Sequence, residues 1–79
     1  MTDAEIYAFL HTLFADLFDR DDIVLRAETT AVDVDGWDSF KQIEIILATG
    51  DHFGIKFRTR ELDGLNSIGD LVALVRAKT

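Results

Sequence analysis

Three stretches of the chain repeat apolar residues every three or four positions, which is the spacing of one helical face. In the first, predicted to be a helix over about residues 3–18, the repeat consists of Ile6, Phe9, Leu10, Leu13 and Leu17. In the last, it consists of Ile68, Leu71, Val72 and Val75. Between them, a second helix is predicted from Asp38 or Ser39 to about Phe53. The chain therefore has to build its core from helices.

Residues typical of helix ends flank these stretches. Thr2 with Glu5, and Ser67 with Asp70, have the spacing of a capping box, which marks the start of the first and the last helix. Gly54 follows the second helix at the place of a left-handed C-terminal glycine. These local signals support the three predicted helices independently of their apolar repeats.

The segments between the helices are interpreted as connections. Residues 19–38 form a loop that is long for a compact domain and should either hold a short helical turn or serve a function. Residues 55–58 alternate apolar and basic side chains, but a lone strand is unstable, so they are predicted to be a loop whose apolar residues fill the core. A short helical turn is expected at residues 61–65. The prediction is one all-α domain over residues 1–79, a four-helix bundle of three main helices and one short helix.

Composition limits the chemistry of the chain. Its 79 residues include no cysteine and no proline, so disulfides, zinc–thiolate sites and a thiol of its own are excluded. The N-terminus lacks the basic, apolar pattern of a signal peptide, and no apolar run is long enough to span a membrane. We therefore expect a cytoplasmic protein with no membrane insertion.

The charge of the chain is unevenly distributed. Residues 1–40 contain ten acids and two bases, whereas residues 41–79 contain five acids and six bases, so the net charge of −7 comes from −8 and +1. Such a chain repels nucleic acid and attracts basic protein partners. Composition alone equally fits a chain whose acids only keep it soluble.

The stretch VDVDGWDSFKQ, residues 32–42, first suggests a calcium loop. Placing Gly36 at the sixth position of an EF-hand loop puts Ala31 at the first and Gln42 at the twelfth, where the first ligand and the bidentate glutamate belong. No metal site is therefore expected, and Asp33 and Asp35 are interpreted as turn-forming residues. A hydrolase is also not expected, because His52 lies thirteen residues from Ser39, more than three helical turns away.

Ser39 itself has two interpretations. A serine at the start of a helix usually caps it. The second helix, however, has an inward line that includes Ile45, Ile46 and Phe53, and also a second apolar line. This second line consists of Phe40, Ile43 and Leu47. One stripe is enough to join a bundle, so a second stripe beside Ser39 suggests a docking surface.

The segment DSFKQIEIILATGDHFGIKF, residues 38–57, resembles the serine motif and second helix of acyl carrier proteins, the phosphopantetheine-binding family. The family pattern is Asp-Ser-Leu, a glutamate five residues after the serine, and a closing Phe-Gly-Ile. The matching residues are Asp38, Ser39, Phe40, Glu44, Phe53, Gly54 and Ile55. NSIGDLVALV, residues 66–75, is similar to the start of the family's last helix, and the resemblance covers essentially the whole chain.

This resemblance implies a carrier and not an enzyme. Ser39 would hold a covalent 4′-phosphopantetheine whose thiol carries acyl or aminoacyl groups as thioesters, and Asp38 would cap the helix and present Ser39 to a phosphopantetheinyl transferase. Further implied partners are an acyl or aminoacyl ligase or acyltransferase and downstream synthases, and the carrier would be a monomer. The implied docking residues are Phe40, Ile43, Glu44 and Leu47, with Asp33 and Asp35 in the preceding loop.

Departures from the family pattern indicate a specialised role. Lys41, Gly50 and His52 stand where fatty-acid carriers have acids, Thr49 replaces an inward leucine, and residues 56–60 are basic. Gly50 is expected to soften the second helix, at about 1 kcal/mol relative to alanine. The hypothesis is a discrete carrier for fatty-acid, polyketide or other secondary metabolism with a short or polar cargo. A D-alanine or other aminoacyl carrier, and an unmodified helical adaptor, remain as alternatives.

Overall fold

The computed structural model describes residues 2–79, and these residues form four α-helices without a strand. The helices are α1 (Asp3–Phe18), α2 (Ser39–Phe53), α3 (Thr59–Leu62) and α4 (Ile68–Lys78), with a 3₁₀ turn at Ala31–Asp33. The predicted all-α bundle is confirmed. Within the same residues, no helix combines the length and the apolar character needed to cross a bilayer.

The first helix begins and packs largely as its sequence predicts. Thr2 Oγ1 accepts a hydrogen bond from the Glu5 amide at 3.3 Å, and Glu5 Oε1 accepts one from the Thr2 amide at 3.2 Å. Of the predicted stripe, Ile6 and Leu10 are fully buried and the other members are partly buried. Phe14 is also fully buried, although the sequence analysis did not place it in the stripe. It lies one turn beyond Leu10, so it continues the same face.

The start of α4 is held by its own cap and by the long loop. Ser67 Oγ accepts from the Asp70 amide at 3.2 Å, which confirms the predicted cap. The next two amides, of Ile68 and Gly69, donate to the carbonyl oxygens of Thr29 and Ala27, each at 2.8 Å. These amides have no acceptor inside the helix. The loop over residues 19–38 is therefore fixed against the bundle, and it contains the helical turn that its length suggested.

The short helix lies two to three residues earlier than predicted. It covers Thr59–Leu62, whereas the sequence suggested residues 61–65. Glu61 explains the difference: its Oε1 accepts from the Arg58 amide at 2.7 Å, so Glu61 is the third residue of the helix and not the first. This hydrogen bond, together with Lys78 of α4 at 3.1 Å, lowers the pKa of Glu61 below its usual value.

The core lies between α1, α2 and α4. Its fully buried members include Ile45 and Thr49 of α2 and Val75 of α4. The Thr49 hydroxyl donates to the Ile45 carbonyl oxygen at 2.7 Å, which satisfies the one polar group that α2 places in this core. Ile55 and Phe57 pack against the core from a loop, as predicted. The inward face of α2 is thus filled, and its opposite face remains for other contacts.

Candidate functional site

The two serines of the chain both lie at helix starts, but only one of them is a cap. At α2 the cap is Asp38, whose Oδ1 accepts from the Lys41 amide at 2.9 Å. Ser39 is the first helical residue, and its side chain is exposed. Its hydroxyl makes no hydrogen bond to any part of residues 2–79, in contrast to that of Ser67. The capping interpretation of Ser39 is therefore wrong, because Asp38 already does this.

The surroundings of Ser39 suit an anion such as a phosphate diester. The amides of Ser39 and Phe40 precede the first intrahelical hydrogen bond of α2, which runs from Gln42 to the Asp38 carbonyl oxygen. Unpaired amides and the helix dipole favour a negative group here by about 0.3–1 kcal/mol at an exposed position. The first turn of α2 contains no acid. The carboxylate of Asp38 would repel a negative group here. The role of Asp38 is instead to hold the first turn of α2 through its hydrogen bond with the Lys41 amide.

Trp37 fixes the segment in front of Ser39. Its Nε1 donates to Gln42 Oε1 at 2.8 Å, which ties the loop to the first turn of α2. Its ring meets that of Phe14 edge to face, with the centroids 5.1 Å apart. Ser39 thus lies between the capped start of α2 and Trp37, whose side chain packs against the core. This role of Trp37 is not visible in the sequence, because its partners lie on two helices.

The loop acids near Ser39 serve the backbone. Asp33 Oδ2 accepts from the Thr30 amide at 3.0 Å and so caps the 3₁₀ turn. Asp35 is exposed, and Gly36 has a φ of 88°, a left-handed value that favours glycine. Within the described part of the chain, no three histidine, aspartate or glutamate side chains are grouped as metal ligands would be. The acids are turn-formers, with charge directed to solvent.

Comparison with known proteins identifies the family. The family model described as "Phosphopantetheine attachment site" matches residues 8–75. The chain belongs to the acyl carrier protein family. It is 31% identical over 75 residues to the meromycolate extension acyl carrier protein of Mycolicibacterium smegmatis, covering 95% of this chain and 76% of that relative. It is 42% identical over 55 residues to the acyl carrier protein of Streptococcus thermophilus, covering 70% of each.

A solved structure supports the same conclusion. The solution structure of a holo acyl carrier protein from Geobacter metallireducens is similar with a TM-score of 0.83 and 42% sequence identity, covering 90% of this chain and 82% of that one. As a family member, the carrier holds a covalently attached phosphopantetheine. It works with a phosphopantetheinyl transferase and with synthase or acyltransferase enzymes.

The second apolar line of α2 faces away from the core of the carrier. The exposed fractions are 74% for Phe40, 59% for Ile43 and 68% for Leu47. Ile45 and Ile46, on the other side of the helix, are 0% and 8% exposed. The two predicted faces of α2 are therefore confirmed. We call Phe40, Ile43 and Leu47 the exposed row.

Lys41 has a structural role that the sequence did not reveal. Its Nζ donates to the Leu17 carbonyl oxygen at 3.3 Å and lies 5.8 Å from the centroid of the Phe18 ring. The last turn of α1 contains no base of its own, so Lys41 complements the negative end of that helix. Lys41 Nζ also lies 3.8 Å from Glu44 Oε1. The predicted docking acid Glu44 is therefore partly neutralised within the carrier.

An open hollow of about 610 Å³ lies between the end of α2 and α3. Its apolar lining is formed by Ile46, Leu47, Ile55, Phe57 and Leu62, and Asp51 and Lys56 add charge. Gly50 shapes it, because a Cβ built on Gly50 would lie 2.8 Å from the Ile55 carbonyl oxygen. Gly50 is thus required for a close approach of the backbone, which corrects its interpretation as merely a softening residue.

The chain has two histidines, His11 and His52. Both are exposed, as expected of surface residues. The ring of His52 stacks on that of Phe9, with the centroids 4.0 Å apart and the planes 12° apart. Thirteen residues of helix separate His52 from Ser39, which is about 20 Å at 1.5 Å per residue. His52 is therefore out of hydrogen-bond reach of the Ser39 hydroxyl.

Proposed function

We propose that Ser39 carries the phosphopantetheine, and that acyl or aminoacyl groups held on it are delivered to partner enzymes of a specialised pathway. The supporting observation is the contrast between the two serines. Ser67 is engaged as a cap, whereas Ser39 is exposed, with a free hydroxyl at the positive end of α2. Of the two serines, Ser39 is the one whose hydroxyl is free to act as the nucleophile that attacks a phosphate.

The residues around Ser39 contribute placement. The phosphopantetheine would supply a terminal thiol, which the cysteine-free chain lacks. Asp38 holds the first turn of α2 so that the Ser39 hydroxyl faces solvent and a transferase. The amides of Ser39 and Phe40 stabilise the diester charge, and Trp37 keeps the approach to the helix fixed. A carrier that presents its cargo on a tether needs a docking surface more than a catalytic set.

Modification of Ser39 can be tested against the other serine. On incubation with coenzyme A and a permissive phosphopantetheinyl transferase, the wild type and Ser67→Ala are expected to gain the mass of one phosphopantetheine, and Ser39→Ala to gain none. Ser67→Ala should lose about 0.5–2 kcal/mol of stability because its cap is removed. Ser39→Ala should change stability by less than about 0.5 kcal/mol.

The result can fail in two distinct ways. Mass gain by Ser39→Ala would place the attachment elsewhere. A wild type that stays unmodified with several transferases would instead favour the unmodified adaptor. Thermal unfolding of all three proteins shows whether a negative result reflects loss of the fold.

We also propose that the exposed row, with Glu44, is the surface on which partner enzymes dock. Its three side chains are more than half exposed beside Ser39. Ile43→Ser and Leu47→Ser are each expected to slow acylation of the holo-carrier by its loading enzyme about 10-fold, which corresponds to about 1.4 kcal/mol. Val24→Ser is the matched control, because Val24 is 67% exposed and lies in the long loop. Equal effects of all three substitutions would argue against the row.

A further inference from the structure

Most of the basic side chains that form no ion pair within residues 2–79 lie just after α2. Within residues 2–79, the ion pairs are Arg20–Asp22, Lys41–Glu44, Arg76–Asp3 and Lys78–Glu61. Four bases are in none of these ion pairs, and one of them, Arg26, lies in the loop over residues 19–38. The other three are Lys56, Arg58 and Arg60, all exposed, and we call residues 56–60 the basic segment. In a chain with fifteen acids, the exposed bases of residues 56–60 thus form a short positively charged segment.

The backbone holds this positive surface in place. Ile55 and Phe57 pack against the core, so the intervening Lys56 and the following Arg58 extend to the outside. The Arg58 amide is fixed by Glu61 at 2.7 Å. Arg60 lies in α3, a single turn of four residues, and its side chain is exposed.

The phosphate diester expected on Ser39 is out of reach of the basic segment. Eleven residues of α2 separate Ser39 from Gly50, against which Ile55 and Phe57 pack, and this is about 16 Å at 1.5 Å per residue. Nucleic acid is disfavoured as a ligand by the net charge of −7. We therefore take carboxylates on the surface of a protein partner as the anions that the basic segment would bind.

The basic segment is continuous with the exposed row. Leu47 of the row and Lys56 both line the hollow at the end of α2. Asp35 and Asp38, at the other end of α2, are exposed acids. The docking face thus has a negative end near Ser39, an apolar middle, and a positive end beyond Leu47, where Ile55 and Phe57 pack back against Gly50.

We propose that the basic segment binds an acidic patch on the enzyme that acylates the carrier, and so fixes the direction in which α2 lies across that enzyme. This inference rests on the proposed carrier function. The enzyme must present an acidic patch and a basic patch on one face, because charges of opposite sign on one face select a single orientation. A partner with a uniformly basic surface is repelled by the positive end.

The test compares two triple variants of equal net charge. Lys56→Gln/Arg58→Gln/Arg60→Gln removes the positive end, and Arg20→Gln/Arg26→Gln/Arg76→Gln removes three charges elsewhere, so each changes the net charge from −7 to −10. The holo-carriers are titrated into the loading enzyme purified from the native host. We expect the first variant to raise KM about 10-fold with kcat unchanged, and the second to stay within about twofold. The difference should shrink as salt is added.

The outcomes separate this proposal from the function on which it rests. Equal KM values for the two variants, or a fall in kcat alone, would overturn the positive end as a binding element. Both variants are first converted by the transferase and weighed. If the wild type gains no phosphopantetheine, the result would count against Ser39 as the attachment site and not against the basic segment. A hexaglutamate peptide provides a second readout, because it should shift the amide resonances of residues 56–60 in the control variant and not in the first.

Discussion

Phe14→Ala is expected to lower the free energy of unfolding by about 3–5 kcal/mol. Phe14 is fully buried, and its ring contacts those of Phe18 and Trp37 with centroid distances of 5.4 and 5.1 Å. Removing the ring leaves a cavity where α1 meets the segment in front of Ser39. The effect therefore combines lost burial of apolar surface with loss of the contact that anchors Trp37.

Chemical denaturation followed by fluorescence measures both parts of this effect. Trp37 is the single tryptophan, so its emission should shift to the red in Phe14→Ala before unfolding begins. Phe40→Ala makes the same chemical change at a side chain that is 74% exposed. It should alter stability by no more than about 0.5 kcal/mol. Similar losses for both variants would mean that Phe14 does not join the loop to the core.

Gly50→Ala is expected to destabilise the carrier by about 1–3 kcal/mol. On helix propensity alone, the substitution should stabilise α2 by about 1 kcal/mol. The new Cβ, however, would lie 2.8 Å from the carbonyl oxygen of Ile55, a backbone atom that cannot rotate away. The loop after α2 has to move, and with it the hydrogen bond from the Ile55 amide to the Gly50 carbonyl oxygen.

Gly64→Ala is the matched control for this prediction. A Cβ on Gly64 has only the Glu61 carbonyl oxygen near it, at 3.7 Å, which is ordinary contact. The control should therefore be neutral, or stabilising by up to about 1 kcal/mol. Thermal unfolding of the two variants gives the comparison. A stabilising Gly50→Ala would show that helix propensity outweighs the close approach.

Local signals in the sequence predicted the parts of the fold that depend on near neighbours. The helix starts at Thr2 and Ser67 are four-residue patterns, and the apolar repeats of α1 and α4 bury what they were expected to bury. The start of α3 was placed too late because Glu61 also fits the first position of a helix. Its actual position depends on a hydrogen bond to Arg58 and a contact with Lys78 of α4.

Contacts between distant segments escaped the sequence analysis. Lys41 was noted only as a departure from the family pattern, because its partner is the carbonyl oxygen of Leu17, twenty-four residues earlier. The role of Trp37 depends on Phe14 in another helix. The cap of α2 was expected at Asp38, whose Oδ1 accepts from the nearby Lys41 amide, but the pairings of Lys41 and Trp37 were not expected. Such pairings depend on the tertiary arrangement, which no local pattern encodes.

Leu47 belongs to two surfaces at once, since it is a member of the exposed row and also lines the hollow. A molecule that fills the hollow therefore touches the side chain that a docked enzyme would touch. Two ligands that share a contact cannot bind independently, and the free energy of coupling between them is the same in both directions. Whatever occupies the hollow would change the affinity of the carrier for its partner, and the docked partner would change the occupancy of the hollow by the same factor.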